Sequence, residues 1–202
     1  GTRDLQIRNN SIHIPNTPIE SDVEPGLAED NLVRYAFQRL YTSSDVTGAV
    51  HDILALVGRK MNVSRVYVFE NSDDNRFCSN TFEWCNRDIP PEKDNLQNLS
   101  YETDIPNWQA VYDKNGMLYC TDITELDPVI RDVVEPQGIR SMLHCAILDQ
   151  GVYRGFVGFD ECTANCFWTP GQVSALQFLA EMLAVFLIKQ RTLDRLKQQM
   201  NQ

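Results

Sequence analysis

The 202-residue chain lacks the short motifs that mark most nucleotide-, serine- or metal-dependent enzymes: it has no P-loop, no GxGxxG, no GxSxG and no HExxH. Gly151, Gly155 and Gly158 are spaced for a hairpin turn and close strand packing, not for a dinucleotide fingerprint. Histidine is scarce, with only His13, His51 and His144, and none lies in a nucleophile context, so catalysis in this segment is not expected. The six cysteines contain no CxxC pair. Cys162-x3-Cys166 has no evident second pair in Cys78, Cys85, Cys120 or Cys145, which argues against a structural zinc site. The longest uninterrupted apolar run is Met182–Ile188, far below the roughly 20 residues a bilayer core demands, so membrane insertion is not expected either. Basic residues are in deficit: 18 Lys and Arg against 28 Asp and Glu give a net charge of −10. Such a surface repels phosphate backbones, which disfavours nucleic acid as a partner.

Hydrophobic residues make up 43% of the chain and charged residues 23%, enough for a buried core in a single domain. Cysteines without a secretory segment suggest reduced thiols and a cytoplasmic setting. Gly1-Thr2-Arg3 is neither a signal peptide nor a usual start, and reads as the edge of a segment from a longer protein. The charge is uneven, with +3 from Lys189 onward and −13 before it.

Residues 1–26, with Pro15, Pro18, Pro25 and Gly26 and no helical period, read as a linker or the end of a preceding element. Its only candidate extended pieces are Leu5–Arg8 and Ile12–Ile14. Leu32, Val33, Ala36, Phe37, Leu40 and Tyr41 then recur at helical spacing, and a second helix follows from Val46 to about Met61. Val63–Phe69 and Phe77–Cys85 flank the turn-forming Asn71–Asn75 and predict a hairpin. Residues 86–104 read as a long polar loop, the kind of segment that often serves as a binding lid. A short amphipathic helix after Pro106, a strand at Met117–Thr121 and a helical stretch at Pro128–Glu135 follow. Arg140–Leu148 and Gly151–Glu161 form the clearest hairpin, and one long helix runs from Gln172 to about Gln199, capped by Thr169. Antiparallel strands with helices before, between and after them define an α+β fold.

Three groups of residues are candidates for function. Trp84, Trp108, Tyr112 and Tyr119 surround the long loop and could form an aromatic cleft for a flat ligand, although core packing explains aromatics equally well. Strand alternation puts Arg140, Met142, His144, Ala146 and Leu148 on one face and Ser141, Leu143, Cys145 and Ile147 on the other. Trp84 and Trp108 are therefore expected to stack a ligand, Tyr112 and Met142 to wall it, and Arg140 and His144 to anchor a carboxylate, phosphate or carbonyl. In the last helix, Leu179, Phe186, Leu193 and Met200 stand seven residues apart, and Leu176 and Leu183 form a second stripe. That seam continues into the basic Lys189–Lys197 end and predicts a parallel homodimer using Leu179, Leu183, Phe186 and Leu193.

The stretches Val63-Ser-Arg-Val-Tyr-Val-Phe-Glu70, Ser79-Asn-Thr-Phe-Glu-Trp-Cys85, Glu135-Pro-Gln-Gly-Ile-Arg-Ser-Met142 and Gly155-Phe-Val-Gly-Phe-Asp-Glu-Cys162, with Trp168, resemble a GAF domain of bacterial multidomain signalling proteins. The resemblance implies a domain over residues 27–190. Its expected fold is a five- or six-stranded antiparallel sheet, with terminal helices on one face and short helices and loops enclosing a small-molecule pocket on the other. It implies a regulatory segment whose helix, from residue 191, leads to an output domain, commonly a GGDEF domain making cyclic di-GMP, sometimes with an EAL phosphodiesterase. Phe156-x3-Asp160-Glu161 matches half of the cyclic-nucleotide motif, but Asp149-Gln150 stands where Asn-Lys would be; Arg154 is the candidate partner for Asp160. Bilin-attaching members carry Cys-His, whereas here the order is His144-Cys145. No specific cofactor is therefore assigned, and the ligand is an unknown small molecule entering between the sheet and Ile89–Tyr112. A ligand-free dimerisation module and a thiol or metal redox sensor are the alternatives.

Overall fold

In the computed structural model, which describes residues 29–202, two amphipathic helices come first: α1 (Glu29–Thr42) and α2 (Val46–Met61). The Asp45 side chain caps α2 by accepting from the Gly48 N–H, and Asn62, with φ of 52°, ends it in the left-handed conformation. The expected linker and its extended pieces lie outside the described residues. Then come β1 (Arg65–Asn71), β2 (Phe77–Cys85), β3 (Leu99–Ser100), β4 (Met117–Cys120), α3 (Pro128–Val134), β5 (Ser141–Asp149) and β6 (Val152–Glu161). The chain closes on α4 (Pro170–Leu183), a π-helical segment (Ala184–Ile188) and α5 (Lys189–Met200). Thr169 and Gln172 form a reciprocal capping box at the start of α4.

The six strands make one antiparallel sheet in the order β3-β2-β1-β6-β5-β4, as expected of this α+β fold. Gln150 and Gly151, with φ of 49° and 81°, turn β5 into β6, the left-handed pair a two-residue hairpin loop requires. β3 was not legible as a strand within the polar 86–104 stretch: two residues are too few to carry a period, and only pairing with Phe77 and Cys78 defines them. The helix expected after Pro106 is a single 3₁₀ turn, Trp108–Val111.

The sheet separates two apolar layers. On one face, Val66, Val68, Leu143, Ile147, Val157 and Phe159 bury against α1, α2 and α4. On the other, Tyr67, Phe69, Met142 and Phe156 meet Ile105, Trp108, Ile130 and Ile139 from the loops and α3. The alternation read along β5 is observed for Met142 and His144 on one face and Leu143, Cys145 and Ile147 on the other; it does not extend to Arg140, before the strand, or past the irregularity between Ile147 and Leu148.

Trp84 is on the helix side, not in the candidate cleft. A bulge shifts the β1–β2 register, so Val68 faces Phe82 while Phe69 faces Asn80, and Thr81 is left over. In an uninterrupted strand Asn80, Phe82 and Trp84 would share a face; the extra residue sends Phe82 and Trp84 to the helices and leaves Asn80 on the other side. There Trp84 lies against Gly58 of α2, so closely that a Cβ on Gly58 would stand 2.1 Å from the indole ring.

The terminal helix also departs from its expected seam. Leu179 and Leu183 are fully buried against the sheet within the chain's own core and are unavailable to a partner. Phe186 is half-buried against Phe37 and Tyr41 of α1, at ring distances of 5.8 and 5.5 Å. Leu193 is exposed, as are Leu196 and Met200. The π segment accounts for the break: its extra residue rotates everything after it, so a seven-residue spacing counted through it no longer follows one face. The short apolar run also understated this helix. The continuous Pro170–Met200 is long and apolar enough to cross a bilayer by length and composition alone, and its inner half spends that apolar surface on the sheet.

Gly58→Ala should lower stability by about 1–3 kcal/mol through overpacking against Trp84. In urea denaturation, Trp84→Ala should relieve that cost, so the double variant is more stable than the sum of the single losses allows.

Candidate functional site

On the sheet face away from the long helices lies a narrow cleft with about 460 Å³ of space between atoms, its open mouth included. Its floor comes from four strands: Tyr67 and Phe69 of β1, Asn80 and Glu83 of β2, Met142 and His144 of β5, and Phe156 and Asp160 of β6. One wall is Leu96, Leu99, Ile105 and Trp108, from the stretch read as a lid. The other, which the sequence did not suggest, is Val133 and Val134 of α3 with Gln137 and Ile139.

Of the six expected ligand residues, the structure brings Trp108, Met142 and His144 together in this lining. Tyr112 stands one layer behind, its hydroxyl accepting from Trp108 Nε1 at 3.2 Å and its ring beside Tyr153 and Phe156. Trp84 is across the sheet. Arg140 is exposed and outside the cleft, because β5 begins only at Ser141 and the residue before it is tied by its backbone to Glu161 and Ile123. Tyr119 is exposed as well.

The polar centre of the floor is a chain of side chains crossing β1, β6 and β5. Tyr67 donates from its hydroxyl to Asp160 Oδ1 at 2.6 Å and meets His144 Nε2 at 2.5 Å. Gly158, opposite both Tyr67 and His144 in the ladder, makes this meeting possible: a Cβ there would stand 2.5 Å from the Tyr67 ring. The second Asp160 oxygen takes Arg65 Nη1 at 3.2 Å, and both side chains are almost wholly buried. Arg65 also donates from Nε to the Pro90 carbonyl (3.1 Å) and from Nη2 to the Gln137 carbonyl (2.9 Å). Arg154, the partner expected for Asp160, instead binds Asn75 and the Asp73 carbonyl, because β6 is irregular where it sits, between Tyr153 and Gly155. The alternation Arg65, Tyr67, Phe69 within β1 was the available signal for the missed residues; nothing local signalled that Asp160 would meet Arg65.

Burial sets the protonation of this group. It pushes the Asp160 carboxyl up to about 6, against the pull of Tyr67 and Arg65 in the other direction. It lowers His144 to about 3, so the imidazole is neutral at pH 7. The thiols are also governed by burial, which pushes Cys78, Cys120 and Cys162 up to about 11 and Cys85 and Cys145 up to about 12, away from the reactive thiolate. Among the described residues, no three His, Cys, Asp or Glu side chains cluster closely enough to hold a metal ion.

Residues 45–187 match the family model "GAF domain", and the chain belongs to the GAF family. It is 31% identical over 157 residues to the methanogenesis regulatory histidine kinase FilI of Methanothrix harundinacea, a match that covers 76% of this chain and only 18% of that protein. In fold it is similar to the phycocyanobilin-bound GAF domain of a cyanobacterial phytochrome, with a TM-score of 0.68 and 17% identity over 83% of this chain and 97% of that one. It is also similar to the chromophore-binding domain of a bacteriophytochrome from R. palustris, with a TM-score of 0.64 and 18% identity over 83% and 62% of the two chains. The chain is thus a sensory domain of the GAF class. The GGDEF association expected from the sequence is not repeated in the curated relative, which is a histidine kinase.

The two buried groups give opposite pH dependences. His144, lowered from 6.5 to about 3, contributes stability that is present above pH 6.5 and lost as pH falls toward 3. Asp160, raised from 3.8 to about 6, contributes stability that is present below 3.8 and lost as pH rises through 6. Between pH 6 and 4 the folded chain carries its proton on Asp160 and the unfolded chain on His144, so the pair contributes little slope. His144→Gln removes one half of this balance, and its urea midpoint should rise from pH 7 to pH 5 relative to the parent. Parallel pH profiles for the two proteins would contradict the assignment.

Proposed function

We propose that this GAF domain binds a small planar molecule in the cleft and passes the bound state through α5 to an output domain in a homodimer on the cytosolic side. The observation that carries the reading is the cleft itself: an aromatic and aliphatic enclosure with a buried polar floor, closed by two walls from outside the four floor strands. The output domain is a diguanylate cyclase on the family resemblance and a histidine kinase on the curated relative; both suit a signal carried by paired helices. Phe37, Tyr41, Leu193, Leu196 and Met200, all exposed along α1 and α5, offer the dimer surface in place of Leu179 and Leu183. These exposed residues need no ligand, and they are what favours the second reading, a ligand-free dimer clamp.

A connected set of contacts supports the route from cleft to helix. Tyr101, beside the Leu99–Ile105 wall, donates to Asn71 Oδ1 at 2.7 Å. The preceding residue in β1, the buried Glu70, accepts from Arg191 of α5 at 2.8 Å, and Asp73 in the turn after β1 pairs with Arg195 at 3.0 Å. Both arginines lie just past the π segment, the least regular part of the terminal helix. A ligand that shifts the wall changes the state of this latch only if it binds the latched and released forms unequally.

Native mass spectrometry of freshly purified protein should report a dimer carrying a reproducible added mass. Trp108→Ala should lose that mass, and Trp84→Ala, altered on the other side of the sheet, should keep it while folded. Loss in neither variant would remove the cleft assignment, and a dimer with no added mass is the result the clamp predicts. For the latch, Arg191→Ala should raise hydrogen exchange across Lys189–Met200 by about 2- to 5-fold, the range expected for an ion pair whose arginine is half-exposed, with β1 unchanged.

A further inference from the structure

The charged side chains of the cleft's lining are all acidic, and its other polar groups are the amides of Asn80 and Gln137, the Tyr67 hydroxyl and the His144 imidazole. Its lining includes the carboxylates of Asp160 and Glu83 and no lysine or arginine. The nearest buried cation, Arg65, has all three of its guanidinium nitrogens committed, to Asp160, Pro90 and Gln137. Glu83 accepts from the Glu92 and Lys93 backbone N–H groups, which hold it in place without cancelling its charge. Arg65 and Asp160 cancel each other, and Glu83 is left without a cationic partner, so a carboxylate or phosphate would enter with no free positive charge to meet it and one acidic side chain against it.

The imidazole of His144 adds a directional requirement. Tyr67 has a single hydroxyl proton and gives it to the Asp160 carboxylate, so at the short contact with His144 the ring nitrogen Nε2 must be the donor. That fixes the neutral tautomer and leaves Nδ1 as a bare lone pair. This nitrogen is fully buried and has no hydrogen-bond partner. Buried acceptors are rarely left unpaired, and this one belongs to a side chain that lines the cleft, where a ligand is the available source of a donor. Around it the surfaces suit a flat ring: the imidazole stacks on Phe156 with centroids 4.9 Å apart, and Trp108 lies 5.9 Å from it.

Resting on the reading that the cleft binds a small molecule, we propose that its ligand is an uncharged or cationic planar heteroaromatic whose ring N–H donates to His144 Nδ1, and that the cleft rejects carboxylates and phosphates. This replaces the anion anchor expected from Arg140 and His144. Trp108 gives way as the ring enters, which couples occupancy to the wall that carries Tyr101.

Three probes of nearly equal shape test it: indole, which has the N–H; 1-methylindole, which lacks it; and indole-2-carboxylate, which adds the negative charge. In titrations followed by amide NMR, indole should shift the signals of Met142, His144 and Gly158 saturably and bind at least 10-fold more tightly than 1-methylindole. Indole-2-carboxylate should leave those signals in place. His144→Phe, if folded, should bring indole and 1-methylindole to the same affinity, but the three-probe comparison on the parent protein decides without it. Equal affinities for indole and 1-methylindole, or tightest binding by the carboxylate, would overturn the ligand class and leave the cleft reading standing. Failure of every probe to move these signals would overturn both.

Discussion

A buried guanidinium holds this domain's two working halves together. Arg65 sits at the start of the central strand β1 with 1% of its surface exposed. A charge so placed is tolerable only when paired and hydrogen-bonded throughout, and removing the partner of such a pair costs about 3–5 kcal/mol. The bonds that satisfy it run in three directions: across the ladder to Asp160 of β6, to the Pro90 carbonyl in the chain after β2, and to the Gln137 carbonyl after α3. One side chain therefore fastens both flanking segments of the cleft to the sheet. The orientation of Asp160 depends on it, and through Asp160 so do the tautomer of His144 and the polarity of the floor.

The sheet serves two purposes because its faces are chemically different. Toward α1, α2 and α4 it presents an apolar layer, mostly aliphatic with Phe82, Phe159 and Trp84, where stability comes from burial. Toward the loops it presents aromatic rings interrupted by a buried polar chain, an arrangement less favourable for packing alone and better suited to recognition. Trp84 and Trp108 illustrate the division. Both are large aromatics close to the same long loop in sequence, yet one fills the space left by Gly58 and the other lines the cleft.

The C-terminal helix belongs to both halves. Up to Leu183 it is core; beyond the π segment, among the described residues, ion pairs tie it to the end of β1 and the turn after it. An element packed at one end and tied at the other by ion pairs, one of them to the buried Glu70, is joined to the sheet by contacts that can be made or broken without disturbing the core. The same strand end receives the Tyr101 contact from the wall, so the cleft wall and the terminal helix meet over two adjacent residues, Glu70 and Asn71.

Much of this was legible in the sequence. Apolar periods of 3.6 and 2 placed the helices and five of the six strands, Gln150-Gly151 located the hairpin turn, and alternation along β5 correctly put Met142 and His144 on one face. These are local properties, set by backbone geometry within a few residues. Tertiary structure decided what depends on register and pairing: the bulge at Thr81 that sent Trp84 across the sheet, the π segment that broke the Leu179–Leu193 seam, and the exchange of Arg154 for Arg65 as the partner of Asp160. In each case one extra residue, or a contact between positions about a hundred residues apart, reversed an assignment that regular periodicity would have made. Local periodicity determines which face a residue occupies only while the count is unbroken; which residues share the cleft depends also on the bulges and on pairing between distant strands.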